Sequence, residues 1–102
     1  MIITMDITLD HIFLPSEDVV ARVIEDELII VPLVAGMGDS DDELYTMNET
    51  GRAIWSRFDG IRTLRGIVAE LEEEYEVTSD LMEQDVLGLA GELVRRKMVV
   101  VR

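Results

Sequence analysis

The chain has 102 residues, 22 of them acidic and nine basic, and a formal net charge of −13. This length predicts one domain over residues 1–102, and an apolar content of 48% is enough for one hydrophobic core. The charge argues against a protein that binds nucleic acid or an anionic membrane surface through Lys and Arg, and the lack of Cys excludes disulfides and thiolate chemistry.

The first half of the chain predicts strands. Residues 19–25 and 27–34 are rich in Val and Ile, and Glu25-Asp26 between them predicts a tight hairpin turn. The second strand is apolar throughout at Leu28-Ile29-Ile30-Val31, which is typical of a strand covered on both faces.

A third strand is predicted over residues 43–47, after an acidic loop at residues 36–42. Residues 1–15 alternate only weakly, so they could form a strand or a loose arm. Residues 99–101 are three valines that favour a short last strand.

Three helices are predicted between these strands. Asn48 is a suitable N-cap for the first, Thr63 for the second, and Thr78 or Ser79 for the third. The second helix carries an amphipathic stripe at helical spacing: Leu64, Ile67, Val68, Leu71 and Tyr75.

The third predicted helix has more apolar surface than one contact with a core needs. One stripe of about 60° contains Met82, Val86, Leu89 and Leu93, with Ala90 beside it, and an adjoining sector contains Leu87, Gly91, Val94 and Met98. Gly88 and Gly91 each cost about 1 kcal/mol relative to Ala in a helix, which suggests that the backbone of this helix is approached closely. Two interpretations stay open: the second sector packs on the sheet, or it forms the wall of a groove for a partner.

Several motifs fail on inspection. The acidic run from Asp39 has Leu44 where a calcium loop needs Gly and Thr50 where it needs Glu. His11 is the one histidine, and neither a metal site nor a nucleophile with its base is recognisable, so we expect no metal, no cofactor and no enzyme. No apolar run is long enough to span a membrane and residues 1–9 do not resemble a signal peptide, so we expect a cytoplasmic protein.

The stretch Leu44-Tyr45-Thr46-Met47-Asn48-Glu49-Thr50-Gly51-Arg52-Ala53-Ile54-Trp55, followed by Asp59-Gly60 and Thr63, resembles the PqqD family. This family is named after the pyrroloquinoline quinone biosynthesis protein D. Its fold is also called the RiPP recognition element, where RiPP denotes a ribosomally made, post-translationally modified peptide. The resemblance covers residues 19 to about 100 and departs from the family pattern at Asp26 and Lys97, where relatives tend to have Gly.

The resemblance implies an α+β, winged-helix-like domain with a three-stranded N-terminal antiparallel sheet followed by three helices. Such proteins are non-catalytic chaperones that bind the leader segment of a precursor peptide by strand addition. They present it to a modifying enzyme, often of the radical S-adenosylmethionine type. The peptide-binding residues expected here are the third strand, Glu43, Leu44, Tyr45, Thr46 and Met47, and a helix wall of Leu87, Ala90, Gly91, Val94 and Met98.

Two other functions are compatible with the sequence. A general interaction module or a homodimer could use the same edge strand. A winged-helix DNA-binding regulator is disfavoured, because the third helix carries acidic and amide side chains where a recognition helix needs basic ones: Glu83, Gln84, Asp85 and Glu92.

Overall fold

Residues 7–33 and 44–102 are described in a computed structural model of the chain. The predicted acidic loop at residues 36–42, together with Glu43, lies outside the described residues. The elements are β1 (Phe13–Pro15), β2 (Val19–Ile24), β3 (Glu27–Pro32), β4 (Tyr45–Met47), α1 (Glu49–Trp55), α2 (Leu64–Tyr75), α3 (Ser79–Arg95) and β5 (Val99–Val101).

The predicted hairpin forms the centre of the main sheet. β2 and β3 pair antiparallel from Val19 opposite Pro32 to Ile24 opposite Glu27. Glu25 and Asp26 both have positive φ, 50° and 70°, as a two-residue turn of the I′ kind requires. β4 pairs antiparallel with β3, which gives the strand order β2-β3-β4. The predicted α+β fold, a three-stranded antiparallel sheet followed by three helices, is confirmed.

The two faces of this sheet differ in burial. Leu28, Ile30 and Met47 lie in the core and are 4%, 0% and 4% exposed. Ile29 and Val31 alternate with them on the other face, where they are only half-buried and do not belong to the core. Within the described residues, the prediction that this strand is covered on both faces is therefore wrong. We call the second side of the sheet the outer face.

All three helices begin where the polar caps predict. The side chains of Asn48, Thr63 and Thr78 accept hydrogen bonds from Gly51 N–H (2.9 Å), Gly66 N–H (3.1 Å) and Leu81 N–H (3.3 Å). Each side chain satisfies one of the N–H groups that the first turn leaves without a partner. After α3, Lys97 turns the chain into β5 with a left-handed φ of 60°.

The beginning and the end of the described chain pair with each other. β1 and β5 form a two-stranded antiparallel sheet, so the three valines do form a strand and residues 13–15 pair with it. Residues 8–12 pass the start of α2, where the carbonyls of Leu9 and His11 accept hydrogen bonds from Arg65 N–H and Leu64 N–H.

Besides the three residues of the main sheet, the core contains side chains from β1, the three helices, the segments that follow α1 and α3, and β5. They are Phe13, Ile54, Trp55, Phe58, Leu64, Ile67, Val68, Leu71, Met82, Val86, Ala90, Leu93, Met98 and Val99.

Candidate functional site

The free edge of β4 is the first component of the candidate site. β4 stands at the end of the strand order and has no partner on its other side within the described residues. Its side chains alternate: Met47 is buried and Tyr45 packs against the core, whereas Leu44, just before the strand, is 55% exposed and Thr46 is exposed. An unpaired edge offers backbone N–H and C=O groups to an added strand.

The second component is the C-terminal end of α3, which lies next to β4. Arg96 caps α3, and its guanidinium carbon lies 4.9 Å from the centre of the Tyr45 ring. At 100° per residue, Asp85, Leu89 and Glu92 share a strip of about 60° with Arg96. We call these four residues the β4 flank of α3. Leu89 is its half-buried apolar member.

Charged groups meet at the C-terminal end of the β4 flank. Glu92 accepts from Arg96 Nε at 2.6 Å and from Arg95 Nη2 at 2.6 and 2.7 Å. These hydrogen bonds hold the pKa of the Glu92 carboxyl below its ordinary value. Burial, and then the nearby Glu92 charge, raise the pKa of the Tyr45 hydroxyl. The phenol is therefore a neutral donor beside the edge strand.

The predicted helix wall lies on a different side of α3. Leu87, Gly91 and Val94 form a strip centred roughly 160° from the β4 flank. A Cβ built on Gly91 would lie 3.7 Å from Cδ1 of Ile7, so the side chain of Ile7 lies against this strip. Leu87 and Val94 are half-buried and pack against the core. This strip, which we predicted to bind a peptide, thus contacts other residues of the same chain.

Three of the predicted binding side chains belong to the core. Met47, Ala90 and Met98 are 4%, 0% and 3% exposed. Ala90 and Met98 therefore have almost no side-chain surface with which to form a groove wall. Met47 can contribute only its backbone.

Among the described residues, nothing approaches the backbone of α3 closely at its two glycines. A Cβ on Gly88 would meet nothing within 4 Å among the described atoms, and the neighbour of Gly91 is at ordinary contact distance. The residues that sequence reasoning missed are Leu89, Glu92 and Arg96. The available signal was an acid and a base at i and i+4 with a half-buried Leu three residues before the acid, but the more apolar strip concealed it.

Elsewhere, a recess of about 330 Å³ opens between α1 and the end of α2. Arg57, which lines this recess, already forms salt bridges with Glu70 at 3.0 Å and with Glu74 at 2.9 Å. Among the described residues, no helix is long and apolar enough to cross a membrane, and no cluster of three or more His, Cys, Asp or Glu could hold a metal.

The fold and this site define a class: a small α+β domain whose edge strand is unpaired in the described part of the chain and lies beside the end of the last helix. The family model described as "Coenzyme PQQ synthesis protein D (PqqD)" matches residues 27–99, which is more than half of the chain. The chain belongs to the PqqD family.

One solved structure shares the fold. It is described as "TbiB1 in Complex with the TbiA(beta) Leader Peptide" and superposes with a TM-score of 0.70 and 23% sequence identity. The match covers 84% of this chain and 93% of that one. No curated protein matches the chain.

Proposed function

We propose that this protein is a non-catalytic RiPP recognition element. It would bind the leader segment of a ribosomally made precursor peptide and present that peptide to a modifying enzyme. The single observation that carries the proposal is the edge of β4 next to the end of α3, which no other described strand pairs with. Membership of the PqqD family supports it, and so does the fold shared with a protein whose structure contains a leader peptide.

The leader would add as a fourth strand beside β4. Backbone hydrogen bonds would supply affinity, and every second leader side chain would point toward α3, because side chains alternate across a strand. Tyr45 and Leu89 present apolar surface there, and Glu92 and Arg96 present charge. The expected leader therefore carries an apolar residue in this position with a polar or charged residue near it.

The same proposal includes a modifying enzyme that receives the peptide. This enzyme would be of the radical S-adenosylmethionine type or of another kind. A peptide-binding protein needs no catalytic group of its own. The one histidine supports this view, because its Nδ1 accepts a hydrogen bond from Thr8 N–H at 3.0 Å and its ring lies 5.9 Å from the ring of Phe13.

The first experiment is isothermal titration with leader peptides from the short reading frames beside the gene. We expect one-to-one binding with a micromolar or lower Kd. A second set of peptides is N-methylated at one position at a time. Strand addition predicts that methylation weakens binding at every second residue, because only those N–H groups face β4. Equal effects at all positions would contradict strand addition.

A matched pair of variants tests which side of α3 binds the peptide. Leu89 and Leu87 are both half-buried and pack against the core, but they lie on opposite flanks. We expect Leu89→Ala to weaken leader binding by about tenfold, as loss of an apolar anchor does, and Leu87→Ala to leave it nearly unchanged. The opposite result would restore the original assignment to Leu87 and Gly91.

A second copy of the chain could occupy the same edge. The net charge of −13 opposes this, since two copies repel each other. Sedimentation over a range of protein concentrations shows whether a dimer forms. If a leader peptide dissociates that dimer, the second copy and the leader compete for the edge of β4.

A further inference from the structure

The outer face of the main sheet has an unusual composition for a surface. Register places Arg22, Ile29 and Thr46 in one row across the three strands. Val20 and Val31 form the next row, since they are paired with each other. Arg22 and Thr46 are the two polar members of these rows. A sheet face that meets water usually carries polar residues at most positions.

Apolar side chains on this face stay outside the core. Val20, Ile29 and Val31 are half-buried, but none of them belongs to the core or packs against it. Ile24, at the hairpin end, is 53% exposed, and Leu44, which follows the same alternation beside β4, is 55% exposed. Contiguous apolar surface of this kind commonly marks a contact with another protein.

The charges around the outer face indicate what kind of partner fits. Glu17 and Asp18 precede β2, and Glu25, Asp26 and Glu27 form the other end of the hairpin. All five are exposed, so the two rows, whose one charged member is the exposed Arg22, lie between two acidic ends. A second copy laid on this face in either direction would place carboxylates opposite carboxylates, which is repulsive.

We propose that the outer face docks a protein whose contact surface is apolar in its centre and carries Lys and Arg at its border. This inference rests on the proposed function, because the partner that we expect there is the enzyme that modifies the bound precursor. The site is distinct from the peptide site: one uses the edge of β4 and the other uses the outer face. The enzyme would therefore bind without displacing the leader.

Two neighbouring residues of β2 provide the test. Ile24 and Val23 are both β-branched and are 53% and 57% exposed, but Ile24 points to the outer face and Val23 to the opposite side. Each enzyme encoded by a gene adjacent to this one is purified and titrated with the wild-type chain, with Ile24→Lys and with Val23→Lys. We expect Ile24→Lys to weaken binding about tenfold or more, because it adds a positive charge opposite a basic border, and Val23→Lys to leave it within about twofold.

Leader titrations with the same two variants separate this inference from the proposed function, since β2 is the strand farthest from β4. Unchanged leader binding with enzyme binding lost only in Ile24→Lys supports both. Equal enzyme binding by the two variants overturns the docking face, as does failure of every adjacent enzyme to bind. A dimer that Ile24→Lys dissociates would assign the face to a second copy. A melting temperature lowered by Ile24→Lys and not by Val23→Lys would mean that the chain itself covers the face. Either result overturns the inference.

Discussion

Replacement of Gly51 by Ala should destabilise the protein although it adds a better helix former. A Cβ at position 51 would lie 2.9 Å from Cβ of Met47 and 3.3 Å from its Cγ. Both atoms lie near the backbone of β4, so the side chain cannot simply rotate away and α1 must shift. Overpacking of this kind costs about 1–3 kcal/mol, whereas the gain in helix propensity is at most about 1 kcal/mol. We therefore expect a net loss of up to about 2 kcal/mol.

Gly88→Ala is the matched control for this substitution. It lies inside α3, where an added Cβ meets nothing within 4 Å among the described atoms, so only the propensity changes. We expect a gain of about 1 kcal/mol, or an increase in melting temperature of about 4–8 °C. Both variants are compared with the wild type by urea unfolding and by thermal unfolding. If Gly51→Ala proved as stable as Gly88→Ala, the close contact between α1 and β4 would be refuted, and with it our account of what positions the edge strand.

Three further predictions concern the hairpin turn, the dependence of stability on pH, and Arg96. Asp26→Gly should raise the free energy of unfolding by about 0.5–1 kcal/mol, because Gly adopts the φ of 70° without the cost that Asp bears; chemical unfolding measures it, and a loss of stability would contradict it. Hydrogen bonds from Arg57 and then Arg62 hold the pKa of Glu70 below 4.5, so its stabilising effect is present above that pH and is lost as the pH falls through the lowered pKa. Between pH 5 and 3, roughly, Glu70→Gln should therefore lose less stability than the wild type, and equal losses would refute this. Arg96→Ala should lower the free energy of unfolding by about 1 kcal/mol in the same assay, because it removes the guanidinium that stacks on Tyr45, and an unchanged stability would exclude a role for the stacking.

Local chemistry explains why most of the fold could be predicted. The three helix starts follow from single polar side chains, and the hairpin follows from two short β-branched runs around a two-residue turn. The prediction failed at Leu28-Ile29-Ile30-Val31, where a continuous apolar run suggested burial on both faces. An apolar side chain can face the core of its own chain or another protein, and composition does not distinguish these two environments.

The site was harder to predict, because it depends on which side of α3 meets β4. The sequence indicates two apolar strips on this helix, but their neighbours are set by tertiary contacts between distant segments. Ile7 lies against Gly91, and Tyr45 lies under Arg96. Neither contact has a local signal. Family resemblance identified the edge strand, whereas the helical wheel alone favoured the strip with more Leu and Val, which Ile7 contacts.

The two proposed surfaces would become one when a leader binds. A strand added beside β4 extends both faces of the sheet, so alternate leader side chains would point either toward α3 or to the outer face. The first set would be read by the β4 flank of α3. The second set would lie next to Thr46 and Leu44 and would extend the surface that we assign to the enzyme. An enzyme that contacts both would bind the loaded protein more tightly than the empty one, and by linkage it would tighten leader binding by the same factor.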